Sequence, residues 1–305
     1  MARSSFALAL LISSCASTPC PPAEVAESTE LDTGEPLVEL TMGHASEQFH
    51  TIPVRVNGEA LTVAILDTGI GIELISAGLC ERIGCSIEGE FTGQRMSGQE
   101  VSVPLTRLEE LSVGGVTRTN VVAGVVDSER FWPEPQIEAF VGLPFFGDTP
   151  FTIDGPRRRL TIESPATTES RARAGQAVDV RVRRHGPAID LFVPLQLGTE
   201  TAEVMIDSGS RTVILHPRYA EPLGIDLAGE AIRRREGTDE TDNAYVRSYA
   251  TLDTPVAFAG VPEQSHSGLQ VMFQEIIHDG LVGTELLERF VVTYDLGQSR
   301  ILIER

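Results

Sequence analysis

A chain of 305 residues is long enough for two ordinary domains, and its apolar share of 41% is that of a globular protein. The formal charge of −20 leaves no basic excess with which to bind nucleic acid. All 24 basic residues are arginine, so a P-loop lysine, a Schiff-base lysine and a Ser-Lys nucleophile are excluded together.

The N-terminus reads as a targeting segment. Arg3 supplies a positive charge, and residues 6–12 form an apolar run too short to span a bilayer as a mature helix. Ile12-Ser13-Ser14-Cys15 follows and resembles a bacterial lipobox, with Ser14 where Gly or Ala is more usual. The expectation is a signal peptide over 1–15, with Cys15 lipidated; an ordinary cleaved signal peptide is the alternative. The chain is then exported as a cell-envelope lipoprotein. Ala16 resembles outer-membrane sorting, facing the periplasm or the cell surface. Residues 16–47 read as a disordered tether, rich in Ser, Thr, Pro, Ala and Glu at its start. The tether contains Asp32-Thr33-Gly34, which no apolar strand leads into, so it is rejected as a site.

Strand character begins at Phe49. Ile52, Val54 and Val56 alternate, Asn57-Gly58 marks a tight hairpin, and Leu61, Val63 and Ile65 alternate into Asp67. Asp67-Thr68-Gly69 then ends the strand: a carboxylate, a hydroxyl, and a glycine that lets bare backbone N–H groups come close. Burying that carboxylate is costly unless something uses or hydrogen-bonds it. Leu74-Ile75 resumes a strand, and residues 76–84 read as a short helix capped by Ser76 and ending at Gly84. Cys80 and Cys85 in that stretch are a possible disulfide, which requires the helix to end between them. Residues 92–98 form a glycine-flanked turn. Strands are expected at 101–105, 108–113 and 120–126, then Phe140-Val141-Gly142, and a closing hairpin of 151–154 with 160–162.

The same order returns in the second half. Leu191, Val193, Leu195 and Leu197 precede a turn at Gly198-Thr199, and Val204-Met205-Ile206 leads into Asp207-Ser208-Gly209, 140 positions after Asp67. Val213-Ile214-Leu215 answers Leu74-Ile75, Gly224 answers Gly84, and Val282-Gly283 answers Val141-Gly142. Residues 291–295 and 301–303 answer the closing hairpin. Equal offsets indicate one architecture used twice, a duplicated domain and not a solenoid. Residues 164–187, with five arginines, read as an exposed linker holding one strand at 178–182.

The apolar-apolar-Asp-[Thr/Ser]-Gly triplets, each followed about seventy residues on by apolar-Gly and a terminal hairpin, resemble the retropepsin-like and pepsin-like aspartic proteases. The resemblance covers about 48–163 and 188–305. It implies an all-β protein with short helices, built as two similar acid-protease β-barrel lobes about a pseudo-two-fold axis. It further implies an aspartic endopeptidase with Asp67 and Asp207 as its dyad, one proton shared between them and a water activated by the pair. Gly69 and Gly209 would offer N–H groups to the carboxylates, and Thr68 and Ser208 would lock the loops reciprocally. Peptide or protein substrate would lie extended under a flap at 93–98, with Gly93, Met96 and Gly98 at its tip, and residues 237–245 as the second-lobe counterpart. No metal, cofactor or covalent intermediate is required. Both half-sites lie in one chain, so a monomer suffices, and its membrane contact is the lipid anchor alone.

The chain departs from the family at Ile70, where Ala or Ser is usual; Ile70 either packs under the lobe or crowds the cleft. A catalytically silent peptide-binding protein on the same scaffold is the main alternative. A glycosidase with paired carboxylates would leave the repeated hydroxyl-glycine turns unexplained. Asp154 and Asp295 read as turn formers. Histidines 44, 50, 185, 216, 266 and 278 show no metal-ligand spacing and read as solvated or capping residues.

Overall fold

The computed structural model describes residues 34–45, 49–59, 61–127, 136–238 and 243–304. The expected signal peptide, Cys15, Cys20 and residues 16–33, 46 and 47 of the tether lie outside the described residues. The first lobe begins with β1 (Val38–Thr41), β2 (Gly43–Ala45), β3 (Phe49–Val56) and β4 (Thr62–Leu66). It continues through β5 (Glu73–Ser76), α1 (Ala77–Ile83), β6 (Ile87–Gln94), β7 (Glu100–Val113) and β8 (Val116–Val126). It closes with β9 (Ile137–Val141), α2 (Leu143–Phe146), β10 (Phe151–Asp154) and β11 (Arg159–Ile162). Between the lobes come α3 (Pro165–Ala174), β12 (Gln176–Asp179) and β13 (Arg181–His185). The second lobe holds β14 (Ala188–Leu197), β15 (Glu200–Ile206), β16 (Val213–Leu215), β17 (Arg233–Thr238), β18 (Ala244–Leu252) and β19 (Val256–Phe258). It ends with β20 (Leu269–Phe273), β21 (Gly280–Val282), α4 (Thr284–Leu287), β22 (Val291–Asp295) and β23 (Arg300–Glu304). No described helix is long and apolar enough to cross a membrane.

Each lobe has its own sheet, with the same core of strand neighbours. The order is β2-β3-β4-β9-β5-β8-β7-β6 in the first and β13-β14-β15-β21-β16-β20-β18-β17 in the second. In both, the strand that carries the aspartate runs parallel to a late strand, Leu66 opposite Val141 and Ile206 opposite Val282. A third sheet of six strands, β1-β11-β10-β22-β23-β12, joins the lobes. At its centre β10 and β22 pair antiparallel, with Thr152 opposite Thr293 and their hydroxyls 2.7 Å apart. Phe146, Phe151 and Tyr294 stack across this junction at centroid separations of 3.8 and 4.6 Å. Each such ring removed from water contributes roughly 1.5–3 kcal/mol, so the lobes share a core.

Local chemistry explains the turns. Asn57 and Gly58 both adopt positive φ (48° and 72°), the backbone of a type I′ hairpin. Ser76 caps α1 by accepting from the Leu79 N–H at 3.0 Å, and Gly84 ends it in the left-handed region. The chain therefore turns between Cys80 and Cys85, and the two form a disulfide. Asp154 and Asp295 accept from the Arg157 and Gln298 N–H groups at their turns.

Four expectations are corrected. The end of the tether is structured: β1 pairs with β11 and buries Val38, and β2 pairs with β3. Residues 164–187 hold more than the one strand expected at 178–182: a helix and two strands, which part at Val180. Ser164 and Thr167 make a capping box on α3, β12 pairs with β23, and β13 pairs with β14. In β4 the alternation is inverted, for Leu61 is exposed while Thr62, Ala64 and Leu66 are buried. Its inner face was masked by polar Thr62 and small Ala64, and Ile65 is buried as well because both sides of the strand end are covered. The strands expected at 101–105 and 108–113 are one, β7, paired with β6 over residues 100–106 and with β8 over residues 105–113.

Candidate active site

The two aspartates sit where the parallel ladders end. Asp67 N–H donates to Val141 O at 2.9 Å and Asp207 N–H to Val282 O at 3.0 Å, carrying each ladder one residue past its strand. Each carboxylate then accepts from the glycine two residues on: Gly69 N–H to Asp67 Oδ1 at 2.8 Å, Gly209 N–H to Asp207 Oδ1 at 2.9 Å. The glycines also admit the opposite loop. A Cβ on Gly69 would overlap the Asp207 carboxyl, and one on Gly209 the Asp67 carboxyl. Thr68 and Ser208 tie the loops together, each N–H donating to the other's hydroxyl at 3.0 Å. Thr68 Oγ1 donates onward to Ile206 O at 3.1 Å and Ser208 Oγ to Leu66 O at 2.9 Å. The structure thus brings Asp67, Thr68, Gly69, Asp207, Ser208 and Gly209 into one network.

Both carboxyl groups are fully buried. The Oδ2 of each takes no N–H or O–H from the described residues around it. Burial pushes Asp67 up to about 6, against the N–H groups of Gly69, Gly209 and Ile70 that favour its charged form. Asp207 is held well above the carboxylate range, by burial first and then by the Asp67 charge beside it. Two like charges this close do not both ionise at acid pH, so the pair keeps a proton.

Ile70 packs under the lobe. It is fully buried in a cluster with Ile65, Ile72, Leu74 and Phe140, and a Cβ on Gly142 would come within 2.9 Å of it. Sequence reasoning missed Glu73, whose signal was a lone carboxylate between Ile72 and Leu74. Its oxygens accept from Gly142 N–H at 2.9 Å and Phe145 N–H at 2.8 Å, holding α2 behind the Asp67 loop. Burial drives Glu73 up to about 8, against those two N–H donors. The second lobe has Val213 at the matching place, and backbone carbonyls of Ser210 and Arg211 take the N–H groups of Thr284 and Glu285 instead.

The expected flap is a hairpin of β6 and β7 whose tip turns at Arg95–Gln99, closed by Gly98 N–H on Arg95 O at 2.8 Å with φ 85° at Gly98. Gly93 is not at the tip; it lies within β6, opposite Val101. Met96 is buried and joins a cluster of second-lobe residues, Phe192, Met205, Ile214, Met272, Ile276 and Leu281. Met96 O accepts from Ile277 N–H at 2.9 Å. The flap tip therefore rests on the second lobe, a contact that residues 92–98 alone did not reveal. The proposed counterpart at 237–245 belongs to the β17–β18 hairpin, with Gly237 opposite Tyr245; residues 239–242 lie outside the described residues.

Among the histidines, His216 caps a turn by accepting from Arg218 N–H. The lack of metal spacing in the sequence does not carry into space: the described residues bring His44, His50 and Glu288 together, with one ligand atom of each within 4.8 Å of the others.

Residues 52–145 match the family described as aspartyl protease. The match spans most of the first lobe. Solved structures with the same fold include basic 7S globulin from soybean, at 13% identity and a TM-score of 0.52, covering 88% of this chain and 94% of that one. Conglutin gamma, a basic 7S globulin from lupine seeds, matches at 10% identity and TM-score 0.52, covering 88% and 95%. At such identities the likeness is one of fold, and it extends the aspartic-protease architecture of the first lobe to both. A comparison of the sequence with curated proteins returns no match.

Proposed function

We propose that the chain is an aspartic endopeptidase with Asp67 and Asp207 as its dyad. The observation that carries the reading is the pair itself: two buried carboxyl groups facing each other across reciprocal loops, both raised in pKa. In the singly protonated pair, the ionised carboxylate takes a proton from water as the water oxygen bonds to the scissile carbonyl carbon. The protonated partner gives its proton to the carbonyl oxygen, forming a gem-diol. The carboxyl group that took the water proton gives it to the amide nitrogen as the C–N bond breaks, and a gem-diol hydroxyl passes its proton to the other carboxylate, so the pair again holds one proton. Peptide substrate lies extended beneath the flap, and a single chain supplies the whole site. Export, with Cys15 lipidated and the two lobes held at the envelope by the tether, completes the reading; its support is the apolar 6–12 run and the lipobox-like 12–15.

The test is cleavage of an unfolded protein mixture from acid to neutral pH by a soluble form beginning at Pro21, beside Asp67→Asn and Asp207→Asn, with product ends read by mass spectrometry. Cuts that persist in either variant would overturn the dyad. Incorporation of labelled palmitate, lost in Cys15→Ser, tests the anchor. A second reading is a peptide-binding scaffold without catalysis; the docking of Met96 against the second lobe favours it, since a flap so seated restricts entry. Peptide binding by folded protein without cleavage at any pH would select it.

A further inference from the structure

The β2–β3 hairpin sets His44 opposite His50, their rings edge to face at 5.2 Å between centroids. Glu288, at the end of α4 in the second lobe, reaches the same spot: its Oε1 lies 3.3 Å from His50 Nε2. His50 is only 2% exposed, and its Nδ1 has no hydrogen-bond partner among the described residues. His44 and the Glu288 carboxylate face solvent, which gives an ion a path in.

We propose that His44, His50 and Glu288 form a binding site for a divalent transition-metal ion, zinc by its donor set, that clasps the N-terminal hairpin of the first lobe to the second lobe. Two imidazole nitrogens and one carboxylate oxygen are the ligands of a three-residue zinc site with an open fourth position. Ligand atoms about 2.0–2.2 Å from a tetrahedral zinc stand roughly 3.3 Å apart, which is the Nε2–Oε1 separation found here. Arg158 is the charged neighbour that opposes a cation. The Glu288 carboxylate offsets it.

The site is independent of the dyad but adjacent to it. His50 and Glu288 line a cavity of about 10 Å³ that Ser208 also lines, together with Thr284 and Tyr294. Gly155, at the turn of the first lobe's closing hairpin, packs against the Glu288 backbone and donates its N–H to Phe290 O at 3.1 Å. An ion held here would bridge segments more than two hundred residues apart, beneath the loop that carries Ser208.

The experiment is calorimetric titration of chelator-stripped, untagged protein with zinc chloride, with thermal unfolding read in parallel and magnesium as the control. The expected result is one zinc per chain, a rise in Tm of about 2–5 °C at saturating zinc, and no rise with magnesium. His44→Ala and Glu288→Gln alter solvent-facing side chains and leave the buried His50 in place, so both should fold. Each should weaken zinc binding at least tenfold, while His216→Ala, at the separate His216–Glu275 pair, leaves it unchanged. Absence of zinc binding by the wild type, equal response to magnesium, or binding that survives both His44→Ala and Glu288→Gln would overturn the proposal. Because the readout is binding, it does not depend on whether the dyad cleaves peptides.

Discussion

Thr68 and Ser208, 140 residues apart, each donate a backbone N–H to the other's hydroxyl at 3.0 Å. Each hydroxyl in turn donates to the last carbonyl of the opposite lobe's strand. Four buried bonds therefore form a closed exchange in which every donor depends on the other lobe. Thr68→Val keeps the shape but leaves the Ser208 N–H and the Ile206 carbonyl buried without partners. The expected loss is about 2–4 kcal/mol, with a similar loss for Ser208→Ala. The double variant should lose less than the sum, because the two substitutions remove shared partners. Urea unfolding of the four proteins checks this.

Removing either dyad carboxylate should remove the acid–base step. Asp67→Asn and Asp207→Asn are each expected to lower the cleavage rate by at least ~10²–10⁴-fold, with both proteins still folded by circular dichroism. An equal and non-additive loss in the double variant would show that the two act as one unit. Single variants that differ widely would argue for one essential carboxylate.

The dyad also sets the sign of the pH dependence of stability. Both folded pKa values lie above the unfolded aspartate value, Asp67 at about 6 and Asp207 well raised by burial and by the Asp67 charge. The native state thus binds more protons than the unfolded state between about pH 4 and these values, and stability falls as pH rises across that window. It is fully present below about pH 4. Urea midpoints taken from pH 4 to pH 7 should decline, and Asp207→Asn should flatten the decline.

Glu73 extends the same slope to higher pH. Its folded value of about 8 against 4.5 unfolded means that its contribution is lost as pH rises towards 8. Glu73→Gln sets an amide N–H₂ against the Gly142 or Phe145 N–H, so it should cost about 1–3 kcal/mol at pH 5. Its stability should then fall less steeply than the wild type's between pH 6 and 8. A variant that tracks the wild type across that range would mean that Glu73 is ionised throughout and serves only as a cap.

Met96 ties the flap to the second lobe through one hydrogen bond and an apolar cluster. Met96→Ala should leave global stability little changed, because the tip is a local contact, but free the hairpin. Hydrogen exchange at the Ile277 amide, which donates to Met96 O, should accelerate roughly tenfold for each 1.4 kcal/mol of docking lost. Unchanged exchange would show that this amide is protected by something other than the flap.

The site loops were legible because their signals are local. Asp67-Thr68-Gly69 and Asp207-Ser208-Gly209 each follow a continuous apolar strand, and the Ser76 cap, the Asn57-Gly58 turn and the Gly84 stop lie within a few residues of what they control. Glu73, by contrast, was visible as an oddity but not as a cap, because the N–H groups it receives come from Gly142 and Phe145, about seventy residues away. The 164–187 segment failed for the same reason. Its hydrophobic signal is one buried residue, Val178, and the strand it joins is β23 at the far end of the chain.

The sequence by itself determined that one lobe architecture is used twice, that an aspartate ends a buried strand in each copy, and that a hydroxyl and a glycine follow it. Repetition and short-range periodicity carry that much, since they depend on backbone geometry over a few residues. Only the tertiary structure decided how the copies join: a six-stranded sheet with Thr152 against Thr293 at its centre, Met96 seated on the other lobe, and His44, His50 and Glu288 drawn to one point. Those contacts depend on which distant surfaces are buried together. That is settled by packing the whole chain, because the strands that meet in the shared sheet gain their hydrogen bonds and their dry face only from each other.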